Sequence, residues 1–376
     1  AGAYYVQEAA SMFLEQVLKQ AVDLSQPLTV LDLCGAPGGK STLVAALLSE
    51  NSLLVSNDVI RPRAKILAEN CTKWGAHNVV VTNNDPSDFK KLPGFFDVVV
   101  VDAPCSGEGL FRKDPNAVNE WSEENVQLCA ARQRRIVADV WDTLKPGGVI
   151  IYSTCTYNTL ENEENLRWMM DEMQAEPIAI DASAFPEVTP SQHLPGFHFY
   201  PHKTLGEGFF IAALRKTDGS EFRMPKMKKA PLSKAPLAIE KELSNYVLSP
   251  KELEFRMFQD KVLAIPARHS SEIMQLIEKL SIVQCGTEVC ELKGTNIIPS
   301  HALALSTILN TAHFQTEELD ERSALTLQKK EELKPQSTAQ YVLVTHKNIP
   351  LGFLKKAGNR YNNLYPKEWR IRMDLR

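Results

Sequence analysis

Five short apolar runs, separated by helix-like segments, each lead into residues able to do chemistry. Residues 29–33 run into Cys34-Gly35, 53–56 into Asn57-Asp58, and 79–82 into Asn83-Asn84-Asp85. Residues 98–101 run into Asp102, and 149–154 into Cys155. Helical patterns fill the gaps at 41–48, 64–74 and 123–144. Apolar strands alternating with helices predict a parallel sheet covered on both faces, an α/β architecture. In such a sheet, ligands and chemistry collect at the carboxyl ends of the strands. Two thiols delivered to that edge, Cys105 just past the fourth strand and Cys155 at the end of the fifth, point to covalent chemistry.

The remaining elements are read more coarsely. Residues 5–20 have Val6, Ala9, Ala10, Phe13, Leu14 and Val17 on one helical face. Gly75 stops the helix before it, and Lys145-Pro146-Gly147-Gly148 closes the long helix at 123–144. Residues 197–200 and 208–214 read as a closing antiparallel pair. Further on, 249–258 and 271–280 read as helices, and 341–345 as a strand.

At 376 residues with 44% apolar content, the chain can bury more than one core. No apolar run is long enough to cross a membrane, and no basic-then-apolar leader opens the chain. It starts Ala1-Gly2-Ala3-Tyr4 without a methionine and reads as part of a longer protein. Seven cysteines without a CxxC pair argue against a disulfide framework or zinc module, so no metal is expected and a reducing cytoplasm is. Cys285 and Cys290 lack histidines at metal spacing and receive no role.

Charge divides the chain. Residues 1–216 carry 18 Lys and Arg against 27 Asp and Glu, whereas 217–376 carry 24 against 19. An acidic front and a basic rear suit a catalytic domain joined to a module that meets a polyanion. Residues 217–237, with Arg223, Lys226, Lys228, Lys229 and three prolines, read as a basic linker. In the final segment Tyr361, Tyr365 and Trp369 alternate with basic side chains, as on a nucleic-acid surface.

The loop Cys34-Gly35-Ala36-Pro37-Gly38-Gly39-Lys40 joins the first strand to a helix. A P-loop would need glycine where Cys34 stands, and Pro37 removes an N–H from the phosphate cradle. A dinucleotide GxGxxG does not fit either. S-adenosylmethionine is the third candidate. Asp58 follows the second strand, where an acid accepts hydrogen bonds from ribose hydroxyls, and Asp85 follows the third, within reach of an adenine edge. Arg63 is counted with them. Surface acids and helix caps also take these positions.

Here the motifs resemble a family. Residues 32–40 are similar to the cofactor motif of the NOL1/NOP2/Sun RNA cytosine methyltransferases, with Cys34-Gly35 a small departure from the usual Cys-Ala-Ala-Pro. Asp102-Ala103-Pro104-Cys105-Ser106-Gly107-Glu108-Gly109 resembles the catalytic motif. Ser153-Thr154-Cys155-Thr156 with Glu161-Asn162-Glu163-Glu164 resembles the nucleophile motif. Residues 5–12 and Gly206-Glu207-Gly208-Phe209-Phe210 match flanking signatures. The resemblance covers residues 1 to about 215. Residues 350–366 resemble the PUA-like C-terminal end of bacterial 16S rRNA methyltransferases in this family.

The resemblance implies a Rossmann-like, S-adenosylmethionine-dependent methyltransferase sheet over 1–216, a linker at 217–237, and an α+β RNA-binding module over 238–376 that ends PUA-like. It implies methylation of cytosine carbon 5 in RNA, with rRNA or the small ribosomal subunit as partner and a monomeric enzyme. It assigns attack to Cys155 and enzyme release to Cys105. Asp102 holds the base, and Lys40 positions the base or balances that carboxylate. The residues alone leave the order of the two cysteines open, because Pro104-Cys105 is also similar to the nucleophile motif of DNA cytosine methyltransferases. Arg112 and Lys113 are candidates for phosphate contacts. A tRNA methyltransferase and a non-catalytic RNA-binding assembly factor are the competing functions.

Overall fold

The structure is a computed structural model that describes residues 2–219, 230–294 and 296–373. The first part holds β1 (Thr29–Asp32), β2 (Leu53–Asn57), β3 (Val79–Thr82), β4 (Phe96–Asp102), β5 (Leu144–Thr154), β6 (Glu176–Pro177), β7 (Thr189–Pro190), β8 (Phe197–Phe199) and β9 (Phe209–Arg215). Its helices are α1 (Leu14–Ala21), α2 (Gly39–Leu47), α3 (Arg61–Trp74), α4 (Pro115–Glu120), α5 (Glu123–Trp141) and α6 (Glu163–Glu172). The strands β3-β2-β1-β4-β5 run parallel in that order, and β9 then pairs antiparallel with β5.

The central strands show no apolar–polar alternation because both faces are covered: every residue of β1, β2 and β3 is buried. Alternation survives in what each residue touches. Val99, Val101, Ile150 and Tyr152 pack with Ile136, Val137 and Val140 of α5. Val98, Val100, Val149 and Ile151 pack with Leu14, Val17 and Leu18 of α1. Each such aliphatic side chain contributes about 1.5–3 kcal/mol on burial.

Residues 5–8 are not helical, contrary to the periodicity. The Glu8 carboxylate accepts hydrogen bonds from the N–H groups of Ala10 (3.1 Å) and Ser11 (2.8 Å), so it caps the helix that begins at Ala10. Val6, expected on the apolar face, is 78% exposed.

The second part contains β10 (Ser233–Lys234), β11 (Leu253–Phe258), β12 (Lys261–Pro266), β13 (Ile282–Cys285), β14 (Thr287–Lys293), β15 (Asn296–Pro299), β16 (Gln315–Glu318), β17 (Tyr341–His346), β18 (Ile349–Ala357) and β19 (Arg360–Asn363). One sheet has the order β10-β11-β12-β14-β15, and the other β16-β17-β18-β19. Residues 253–258, expected to be helical, form a hairpin with 261–266. The backbone turns at Gln259 in the left-handed region (φ 56°), and six residue pairs follow in register. Most of the basic stretch read as a linker, 220–229, lies outside the described residues. Ser233 and Lys234 at its end pair with Met257 and Arg256.

The two parts share one sheet and one core. β13 pairs antiparallel with β3 and covers the open edge of the large sheet. Leu263, Ile265, Ile273, Leu276 and Cys285 lie in the same apolar cluster as Val99 and Phe96. Tyr365 and Trp369, expected on a nucleic-acid surface, pack edge-on against His301, with ring centroids 4.9 and 5.3 Å away. Tyr361 donates its hydroxyl to the backbone of Ser337 and Ala339. No helix among the described residues is long and apolar enough to cross a membrane.

Candidate active site

The loop after β1 is shaped by its glycines. Gly38 sits in the left-handed region (φ 118°) and starts α2. A Cβ on Gly35 would lie 2.7 Å from Ser41 Oγ and 2.9 Å from Asp32 Oδ2, so only glycine fits there. The Gly35 N–H donates to the Asn57 carbonyl (2.7 Å), which ties the loop to the end of β2. Cys34, Gly35, Ala36, Pro37, Gly39 and Lys40 line a cleft of about 560 Å³ with Asp102. Tyr5 and Gln7 line it from the other side, and Gln7 Nε2 donates to the Gly39 carbonyl (2.8 Å). Burial pushes the Cys34 thiol well up, and the nearby Asp102 and Asp32 add to the shift.

Asp58 is buried behind this loop. One of its oxygens accepts from the Ile60 N–H (2.8 Å), and the other pairs with Arg63 (3.4 Å). Arg63 also donates to the Ala36 carbonyl (2.9 Å), so the two residues act on the loop together. Asp85 is placed differently: its carboxylate accepts from Ser87 N–H (3.0 Å) and Oγ (2.7 Å) and caps a short turn. Those bonds to Ser87 lower its pKa.

Asp32 was part of the loop motif but received no separate role from the sequence. One oxygen accepts from Ser41 Oγ (2.6 Å), while Oδ1 is buried without a hydrogen-bond partner. Burial pushes its pKa up from 3.8 to about 6, against the bond from Ser41. An orphaned carboxylate oxygen beside a glycine loop fits a ligand that brings a cationic group, as S-adenosylmethionine does. Because the folded carboxyl holds its proton to higher pH than the unfolded one, stability should fall as pH rises from about 4 to 6. The loss would be complete above that window and about 3 kcal/mol at most. Asp32→Asn is expected to flatten this decline in urea melts of the ligand-free protein at pH 4, 6 and 8. An unchanged slope would refute the assignment.

Asp102 ends β4 beside Ser153 of β5. Its Oδ1 accepts from Ser153 Oγ (2.8 Å), and its Oδ2 pairs with Lys40 Nζ (2.9 Å). Lys40 also lies over the Phe209 ring, 5.1 Å from the centroid. Burial works against its charge, but Asp102 together with Asp32 and Cys155 outweighs burial and raises the Lys40 pKa. The thiols of Cys105 and Cys155 are in contact, with Sγ atoms 2.8 Å apart, and the Cys155 N–H donates to Cys105 Sγ (3.2 Å). Contact with Cys155 and then burial push the Cys105 thiol well up. Both cysteines are partly exposed, as attack on a ligand requires.

Two acids from the motifs do more than their sequence positions indicated. Glu108 Oε2 accepts from Thr156 Oγ1 (2.7 Å) and from the N–H groups of Tyr157 (2.8 Å) and Asn158 (3.0 Å). Glu161 accepts from Ser106 N–H (3.0 Å), Gln133 Nε2 (2.6 Å) and Asn158 Nδ2 (2.8 Å). Their place just after each cysteine was visible in the sequence, but the crossing of their contacts was not. Arg112, a candidate phosphate ligand, is held by Glu207 and the Gly206 carbonyl.

A glycine loop at a parallel sheet's carboxyl edge, one acid per successive strand end and a nearby thiol pair define a Rossmann-like methyltransferase of the S-adenosylmethionine-dependent type. The family model "16S rRNA methyltransferase RsmB/F" matches residues 19–215, and "Methyltransferase RsmF PUA domain" matches 314–371. The chain belongs to the RsmB/F methyltransferase family. It is 33% identical to the ribosomal RNA small subunit methyltransferase F of Cronobacter sakazakii, over 98% of this chain and 78% of that protein. The protein of the same name in Enterobacter sp. is 34% identical, over 98% and 77%. Among solved structures, NSun6 from Pyrococcus horikoshii with SFG is 30% identical, with a TM-score of 0.50 over 58% of this chain and 54% of that one. PH0851 is 28% identical, with a TM-score of 0.52 over 57% and 47%. The likeness thus spans about half of each solved chain.

Proposed function

We propose that this enzyme transfers the methyl group of S-adenosylmethionine to carbon 5 of a cytosine in 16S rRNA, through a covalent bond between Cys155 and carbon 6. The observation that carries this reading is the contact of the Cys105 and Cys155 thiols at the strand edge that also presents Asp102 and Lys40. Carbon 5 of an intact cytosine ring is a weak nucleophile. When the Cys155 thiolate donates its electron pair to carbon 6, the ring's π pair moves onto carbon 5. S-adenosylmethionine supplies the methyl cation equivalent that carbon 5 then takes. Cys105, deprotonated to its thiolate, accepts the carbon 5 proton, the C5–H electron pair re-forms the C5=C6 double bond, the S–C6 bond breaks, and the Cys155 thiolate returns.

Once its own proton has passed to water, the Cys105 thiolate would be a strong base for the carbon 5 proton, because contact with Cys155 and burial raise its proton affinity. Asp102 would hold the exocyclic amine and N3 of the base, and its contact with Lys40 supports a partner that balances its charge. The loop residues 34–40, with Asp58 and Arg63 behind them, are the proposed cofactor cradle, and Asp85 is the proposed adenine contact. The base must leave its stack to reach this edge. The region from 238 onward, matched in part by the PUA model, is the proposed rRNA-binding part. The enzyme would act on rRNA in the cytoplasm.

The test is incubation of 16S rRNA, small ribosomal subunits and tRNA with the enzyme and labelled S-adenosylmethionine, followed by bisulfite sequencing. Protection of at least one 16S rRNA cytosine is the expected result. Label in tRNA alone, or at a position other than carbon 5, would overturn the proposal.

A further inference from the structure

Beyond that reading, though resting on it, the two acids that follow the cysteines have a task of their own. Glu108 belongs to the Cys105 loop, yet its oxygen accepts three hydrogen bonds from the Cys155 loop, at Thr156, Tyr157 and Asn158. Glu161 follows the Cys155 loop, yet it accepts from Ser106, the residue next to Cys105. Each loop therefore sends a carboxylate across to hold the other.

We propose that Glu108 and Glu161 are positioning residues that form a reciprocal clamp, setting the Cys105–Cys155 spacing needed for the covalent step. Glu161 is the more deeply placed half, at 0% exposure. A buried carboxylate costs several kcal/mol unless donors surround it, and charge-assisted bonds are the stronger kind. Its donors come from three segments: the Cys105 loop, the Cys155 loop through Asn158 Nδ2, and α5 through Gln133. Gln133 also donates to the Pro104 carbonyl (3.0 Å), one residue before Cys105. A further tie joins the loops directly, Ser106 Oγ to Thr156 Oγ1 at 3.0 Å. Close packing of the backbone completes the joint: the Gly109 N–H donates to the Cys155 carbonyl (2.8 Å), and any side chain at Gly109 would collide with that carbonyl.

Without the clamp, the β4 and β5 ends would still lie side by side, because β-pairing fixes Asp102 beside Ser153. Beyond them the thiol-bearing loops are tied to each other by the Ser106–Thr156 and Gly109–Cys155 bonds, and the two carboxylates add the charge-assisted share of that joint. Glu161 also places negative charge near Cys105, which adds to the rise in that thiol's proton affinity. The clamp thus bears on both the distance between the thiols and the proton affinity of Cys105.

Glu161→Gln and Glu108→Gln keep side-chain shape and remove an acceptor. Two readouts apply. The first is the rate at which diamide, itself reduced to the hydrazine, oxidises the Cys105–Cys155 pair to a disulfide, followed by mass spectrometry. This rate measures thiol proximity without RNA. It should fall about 10-fold in each variant, as effective concentration is lost. The second is methylation: kcat should drop about 100-fold while KM for RNA and the Kd for S-adenosylmethionine stay within about 3-fold. If Glu161→Gln does not fold, Glu108→Gln, on the more exposed half, carries the test alone. Disulfide closure and kcat both within about 3-fold of wild type, or a parallel loss of kcat, cofactor affinity and melting temperature, would overturn the clamp. A wild-type enzyme that leaves 16S rRNA unmethylated would overturn the proposed function instead, while closure rates would still judge the clamp.

Discussion

Cys155→Ala is expected to abolish methylation and all covalent capture of RNA. Loss of a nucleophile in a covalent mechanism costs on the order of 10⁵–10⁶-fold in kcat, so the residual rate should be undetectable in a filter assay. The argument rests on geometry. Cys155 follows the end of β5, two residues past Ser153, which bonds Asp102. A base held by Asp102 would thus have its ring beside the Cys155 thiol. The substitution removes a half-buried sulfur whose nearest contact is another thiol, so the fold should persist. Cofactor affinity measured by calorimetry should be unchanged, since Cys155 does not line the loop cleft. Turnover within tenfold of wild type would remove Cys155 from the mechanism.

Cys105→Ala should have the opposite signature. Attack by Cys155 and methyl transfer would proceed, but the carbon 5 proton would lack its acceptor and the S–C6 bond would stay closed. The expected outcome is a protein–RNA species that survives denaturing electrophoresis, with turnover reduced by about 10²–10⁴-fold, the usual contribution of a positioned proton acceptor. The same adduct should be absent in the double variant Cys105→Ala/Cys155→Ala. An adduct that forms in Cys155→Ala and not in Cys105→Ala would reverse the two roles.

Much of the candidate site's strand edge was legible because parallel strands buried on both faces write themselves as plain apolar runs. The ends of β3 and β4 fall where the sequence puts them, at Thr82 and Asp102. The contact of the thiols was not legible, because it depends on the β4–β5 register and on the crossed bonds of Glu108 and Glu161. Residues 5–8 misled for a local reason: helical periodicity continues through them, but the Glu8 carboxylate ends the helix by capping it. Residues 253–258 misled for a longer-range one, since only their partner strand reveals the hairpin. The aromatics near the C-terminus matched a binding surface in composition, and tertiary packing gave Tyr365 to His301 instead. The pairing of β13 with β3 left no local trace at all. Ile282, Val283, Gln284 and Cys285 carry no turn signal or motif that would direct them to a sheet some 200 residues back.

That last pairing has a consequence for biogenesis. During synthesis, β9 leaves the ribosome about 70 residues before β13 does. At roughly 5–20 residues per second, several seconds pass between them. Throughout that interval the nascent methyltransferase sheet can be complete from β3 to β9 while β3 still offers its unpaired amides and carbonyls to any passing strand. Closing the edge means forming contacts between residues about 200 positions apart, the kind of non-local step that is slow in folding. The nascent chain is therefore most in need of chaperone cover after its proposed catalytic residues are already in place, and the second part of the chain ends that exposure.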